Sequence, residues 1–243
     1  ASIGGTISTT SAINITGAVS APSAVNASGV VITGAVTGTN SGNQLNITGT
    51  GVPAPSPSTS RSIYINGGTV SSTGGQIKLT GDRMELAGVV NSSTGRTMIV
   101  PGSINREIVL GGSNESNALN LTSSEINSIT ASALVIGGGS YTGGITISGN
   151  IAPTNTNTLS LINDATGANG ISQSGSTSIN VNSLNADARY VSLAEAGNSI
   201  SNVAGRNYAG TFDVRTSGAM TINTVDGTAG LIASTTGGIT VQA

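Results

Sequence analysis

REIVLGGSNESNALNLTSSEINSITASALVIGGGSYTGGITISG, residues 106–149, decides how the rest of the chain is read. It holds four short apolar triplets, Ile108-Val109-Leu110, Leu119-Asn120-Leu121, Leu134-Val135-Ile136 and Ile145-Thr146-Ile147, set between glycine- and serine-rich turns. A triplet of this kind is a short strand that sends its first and third side chains to one face and its middle one to the other. Strands this short have no stability of their own, so each must be covered by others like it.

The same unit recurs on both sides. Upstream stand Ile13-Asn14-Ile15, Val30-Val31-Ile32 and Leu45-Asn46-Ile47, similarly spaced and each followed by Thr-Gly. These glycines are expected to supply a left-handed conformation at a tight corner. Ile77-Lys78-Leu79 and Met84-Glu85-Leu86 place a charge between two apolar residues, which assigns Lys78 and Glu85 to the outer face of a strand. Downstream come Leu159-Ser160-Leu161, Ile179-Asn180-Val181, Val191-Ser192-Leu193, Phe212-Asp213-Val214, Met220-Thr221-Ile222 and Ile239-Thr240-Val241, with uneven gaps between them. One stretch departs from the pattern. Thr122 and Glu125 have capping-box spacing, and Ile126 and Ile129 share a helical face, so a single helical turn is expected within 122–129.

Self-similarity with a period of about 20 residues points to a solenoid, in which each coil lies on the one before it. The predicted fold is all-β: a parallel β-helix built of such coils, forming one continuous segment over 1–243. Twelve or so coils would make a rod about 60 Å long at the spacing between neighbouring strands. An antiparallel sandwich is the competing architecture. It calls for longer strands and two-residue hairpins, whereas Asn-Gly occurs only at Asn66-Gly67 and Asn169-Gly170. The proline-rich stretch at 53–60 reads as a loop protruding from one corner, because the triplets resume directly after it.

Composition narrows the function. Charged residues are 7% of the chain and apolar residues 36%, against roughly 25% and 45–50% in an ordinary globular domain. Eight basic residues scattered without a cluster, and a net charge of −2, give no footprint for nucleic acid. With no Cys there is no disulfide framework or thiolate site, and with no His the usual triads and zinc mechanisms are excluded. Five aromatic residues cannot supply the girdles of a membrane barrel. The chain opens on Ala1, which reads as a mature product or a piece of something longer.

Enzymatic use of such a fold would need converging carboxylates. The ten acids, Asp82, Glu85, Glu107, Glu115, Glu125, Asp164, Asp187, Glu195, Asp213 and Asp226, are spread along the chain. At a repeat of the expected length Glu107 could neighbour Glu125, and Asp82 could neighbour Arg106. Isolated outward charges explain them better, so no catalytic, cofactor-binding or metal-binding residue is assigned and no cofactor is expected. The six Asn-x-Ser/Thr sequons, at Asn14, Asn26, Asn46, Asn91, Asn114 and Asn120, are about as many as chance gives in this composition.

The segments LTSSEINSITASALVIGGGSYTGGITISG (121–149), TLSLINDATGANGISQSGSTSINVNSL (158–184) and GTFDVRTSGAMTINTVDGTAGLIASTTGGITVQA (210–243) resemble a module of filamentous-haemagglutinin-like exoproteins of the two-partner secretion pathway. The resemblance covers 106–243 and extends over 1–105 by composition. It implies a right-handed parallel β-helix forming the shaft of a long Gram-negative surface protein that acts in adhesion, aggregation or biofilm formation. It further implies an extracellular or cell-surface location and passage through an outer-membrane transporter. The partners expected are further coils of the parent chain or end-to-end copies, and host or bacterial surface glycans or proteins. The Asn-Pro signature of the family's secretion domain is absent from this sequence. The alternatives to a structural shaft are a carbohydrate- or protein-binding module and, behind it, a polysaccharide-cleaving enzyme or an ice-binding solenoid.

Overall fold

A computed structural model describes residues 1–19, 27–51, 60–113, 118–163, 167–234 and 236–243. The chain is almost entirely β and its strands come in successive passes. The first holds β1 (Ser2–Ile3), β2 (Thr6–Thr9) and β3 (Ile13–Ala18), and the second β4 (Ser28–Ile32), β5 (Ala35–Gly38) and β6 (Leu45–Thr50). Next come β7 (Arg61–Ser72) with β8 (Ile77–Thr80), then β9 (Met84–Asn91) with β10 (Arg96–Val100). The quoted stretch supplies β11 (Glu107–Leu110), β12 (Ala118–Leu121), helix α1 (Ser123–Asn127), β13 (Ile129–Gly137) and β14 (Ile145–Ile147). Three regular passes follow: β15 (Thr156–Ile162) and β16 (Ile171–Gln173), β17 (Asn180–Ala188) and β18 (Val191–Leu193), β19 (Ser199–Asn207) and β20 (Phe212–Arg215). The last contains β21 (Thr221–Ile222), β22 (Thr224–Val225), β23 (Thr228–Ala229), β24 (Leu231–Ala233) and β25 (Ile239–Gln242).

A 16-stranded sheet and a seven-stranded sheet hold nearly all of these, and both are parallel throughout and curl around a common core. In the larger sheet one continuous stack runs β3-β6-β8-β10-β13-β15-β17-β19-β24, nine strands deep. Eight strand spacings make it roughly 38 Å long. The seven-stranded sheet runs β12-β11-β14-β16-β18-β20-β25. Inward positions form columns, among them Ile15-Ile47-Leu79-Ile99-Ile136-Leu161, each residue directly opposite the next. This is the solenoid-like arrangement that the triplets predict.

The repeat is less regular than the sequence suggests. Leu184 pairs with Val203 close to the expected interval, but Leu45 with Ile77 and Thr97 with Leu134 pair across much longer ones. Ile108 and Leu119, at the other extreme, pair in parallel across a short return. There β12 lies beside β11, on the side away from β14. The turns absorb such differences while the strand triplets keep their alignment.

Helix α1 is the predicted turn. Thr122 caps it, with Glu125 closing the reciprocal bond, and Ile126 is buried. Ile129 is buried too, but as the first residue of β13. The Thr-Gly glycines carry a different load from the expected one. Gly17 and Gly49 continue β3 and β6 without positive φ. A Cβ on Gly17 would sit 1.9 Å from the carbonyl oxygen of Gly29, and one on Gly49 would sit 1.9 Å from that of Ser62. Close approach of two backbones at a corner, and not left-handed geometry, is what requires glycine there.

The one antiparallel pair among the described residues is the β22–β23 hairpin. Its turn residues Asp226 and Gly227 have φ of 51° and 84°, the type I′ pattern. The hairpin lies across the outside of the larger sheet, with β22 against β17 and β19. Beneath it the outward column Val135-Ser160-Asn185-Ala204 is buried. The Asp226 carboxylate accepts a bond from Ser160 Oγ and, at 2.9 Å, one from Arg96 Nη2, 130 residues away. The same column continues upstream as Asn14-Asn46-Lys78-Met98 with no such cover among the described residues.

Candidate functional site

Among the described residues the acidic side chains do not converge. Asp82 is taken up by Ser103, whose N–H and hydroxyl donate at 2.7 and 2.6 Å, while Arg106 Nη2 donates to the carbonyl of Ala118 at 3.3 Å. Glu107 is exposed and accepts from Thr146 Oγ1 at 3.0 Å. Glu125, by contrast, is buried and accepts from Leu86 N–H at 3.0 Å. Glu85, outward as its triplet predicts, pairs with Arg61, and the guanidinium of Arg61 lies 4.5 Å over the Tyr64 ring. Glu115, Asp164 and the sequons at Asn26 and Asn114 lie outside the described residues, as does the Pro-rich loop apart from its last residue, Ser60, which is buried. Among the described residues no three His, Cys, Asp or Glu side chains gather as a metal site would require.

Asp187 belongs to the outward column Ile162-Asp187-Arg206, next to the hairpin's footprint. Burial raises its carboxyl above the ordinary value, and the Arg206 charge and backbone N–H only partly offset this. A raised carboxyl favours folding below the unfolded value of 3.8, and the benefit is lost as pH rises through the folded value. Asp187→Asn is therefore expected to raise Tm at pH 7, with the gain gone at pH 3. Calorimetry at the two pH values checks it.

Two clefts stand out for their chemistry. The first, about 290 Å³, runs beside Lys78, Met98 and Val100 to Ile104 and the glycines 137–139. Its Tyr141 is buried with the hydroxyl donating to Gly144 O at 2.8 Å, and burial, reinforced by Glu107, holds that phenol protonated well above its ordinary range. The second, about 390 Å³, lies on the outside of the seven-stranded sheet. Glu107, Thr146, Asn169, Ser172 and Tyr190 line it, brought together from successive passes: β11, β14, the residue pair before β16, β16 itself and the residue before β18.

Register explains that second grouping. Val109, Thr146, Ser172 and Ser192 form an outward column, so hydroxyls repeat at the strand spacing, and Thr146 and Ser172 are 3.5 Å apart. Asn169 Nδ2 donates to Thr142 O at 3.1 Å. A Cβ on Gly170 would lie 2.7 Å from Tyr190 Cγ, so glycine allows the ring to rest against the backbone of the previous pass. No motif in the sequence signals this cleft, because its members are distant along the chain and meet only through stacking. Asp226 and its hairpin did leave a signal, Val225-Asp226-Gly227-Thr228, a two-residue Asp-Gly turn between β-formers.

Among the described residues no helix is long and apolar enough to cross a membrane. Compared with protein families, characterised proteins and solved structures, the chain matches none.

Proposed function

We propose that this chain is a structural shaft: a right-handed parallel β-helix segment of a secreted or surface-attached bacterial filament that spans distance and displays surface in adhesion or biofilm formation. The observation that carries the reading is the uncovered final pass. Ile222, Ile239 and Val241 continue the inward columns above Val203, Phe212 and Val214, yet they are 53%, 42% and 37% exposed. The strands that bear them, β21 and β25, each pair on one edge only. Apolar column positions and open strand edges at the end of a stack are where another pass docks. Further passes of a longer chain, or the first pass of a second copy, are the partners that fit. The resemblance to filamentous-haemagglutinin-like exoproteins supports the extracellular setting and export through an outer-membrane transporter.

Electron microscopy of the purified chain tests the proposal. Thin rods of constant width that join end to end on concentration are expected, with joining abolished in an Ile239→Lys/Val241→Lys variant. Compact particles, or joining that ignores the two charges, would overturn it.

A further inference from the structure

We infer that the cleft on the outside of the seven-stranded sheet binds an uncharged, linear oligosaccharide. This rests on the side chains lining the cleft and not on the filament reading, so either can fail without the other. A sugar ring offers an apolar C–H face and a rim of hydroxyls that both donate and accept. It needs a flat apolar platform beside a mixed set of polar partners. Tyr190 is half-buried, and its ring is backed by the Gly170 peptide, which fixes the platform without a flexible support. Glu107 spends one carboxylate oxygen on Thr146 and leaves the other as a strong acceptor. Ser172 adds a hydroxyl that serves either way, Thr146, its proton given to Glu107, adds an acceptor lone pair, and Asn169, its amide nitrogen engaged with Thr142, offers its carbonyl oxygen.

Geometry and charge narrow the ligand. The lining runs from β11 past β14 and β16 to the corner before β18, three strand spacings or about 14 Å, which suits a chain of sugars better than one ring. Glu107 is the one ionisable group in the lining besides the Tyr190 phenol. Sulfated and uronic-acid polymers would meet a like charge with no basic partner in the lining, which disfavours them. The first cleft lacks this combination: its tyrosine is buried and its one charge is Lys78.

Isothermal titration of the whole chain with neutral hexasaccharides of glucose, N-acetylglucosamine, mannose and galactose, and with a heparin hexasaccharide, tests the assignment. At least one neutral hexamer is expected to bind while heparin does not. Tyr190→Ala should weaken that binding about tenfold, the loss of one stacking contact. Glu107→Gln, an exposed change that leaves folding intact, should weaken it several-fold, and Lys78→Ala in the other cleft should leave it unchanged. Binding by none of the neutral hexamers, preference for heparin, or binding indifferent to Glu107→Gln would overturn the proposal.

Discussion

Phe212→Ala is expected to destabilise the protein by about 4 kcal/mol, the middle of the range for emptying a buried aromatic site. Phe212 is the largest fully buried side chain of the core. It stands between Val191 and Ile239 in the seven-stranded sheet. Across from it, the column Ile136-Leu161 shrinks to Ala186 and then Gly205, and a Cβ on Gly205 would lie 2.6 Å from the Phe212 ring. Those small residues exist to admit the ring, so no neighbour can collapse into the space when it is removed. Passes contact mainly their neighbours, so the loss should show first as early melting of the last passes. Urea titration measures the total, and amide exchange over 171–243 locates it. Phe212→Leu, which refills most of the volume, should cost about 1 kcal/mol. A Phe212→Ala variant as stable as the parent would mean that the ring does not fill this core.

Glu125→Leu is expected to cost about 3 kcal/mol although it places an apolar residue in a buried position. The carboxylate accepts from Thr122 N–H at 2.8 Å, Thr122 Oγ1 at 2.9 Å and Leu86 N–H at 3.0 Å. Leucine strands the Leu86 N–H, worth about 1–3 kcal/mol, and removes half of the capping box, worth about 1 kcal/mol more. Glu125 thus does two tasks with one group: it begins α1 and closes the edge of β9. Glu125→Gln keeps one acceptor oxygen and should cost about 1 kcal/mol. Amide exchange at Leu86 is the discriminating measurement, because only the edge role exposes that proton.

The hairpin and the two clefts divide the outside of the molecule by use. Where β22–β23 lies over the larger sheet, the outward column is valine, serine, asparagine and alanine, small enough to be covered. Upstream, where none of the described residues lies over it as the hairpin does, the same column is Asn14, Asn46, Lys78 and Met98, and Asn46 Nδ2 donates to Asn14 Oδ1 at 2.9 Å. An amide ladder of that kind satisfies polar groups between successive strands without calling on solvent.

What the sequence determined alone is local. Apolar residues two apart set which side chains of Leu134-Val135-Ile136 or Ile77-Lys78-Leu79 face the core, because strand periodicity needs only neighbours along the chain. Thr122 and Glu125 announced α1 for the same reason: a capping box closes within one helical turn. The all-β class and the parallel stacking follow from many strands too short to stand alone. Tertiary structure decided the rest. Which strand lies on which depends on the lengths of chain between paired strands, from the short one between β11 and β12 to the long one between β10 and β13. Only that stacking brings Glu107 and Tyr190 into one cleft, carries Asp226 back to Arg96 and leaves Ile239 and Val241 uncovered. Such contacts are fixed by long-range pairing, on which the spacing of residues within any one strand has no bearing.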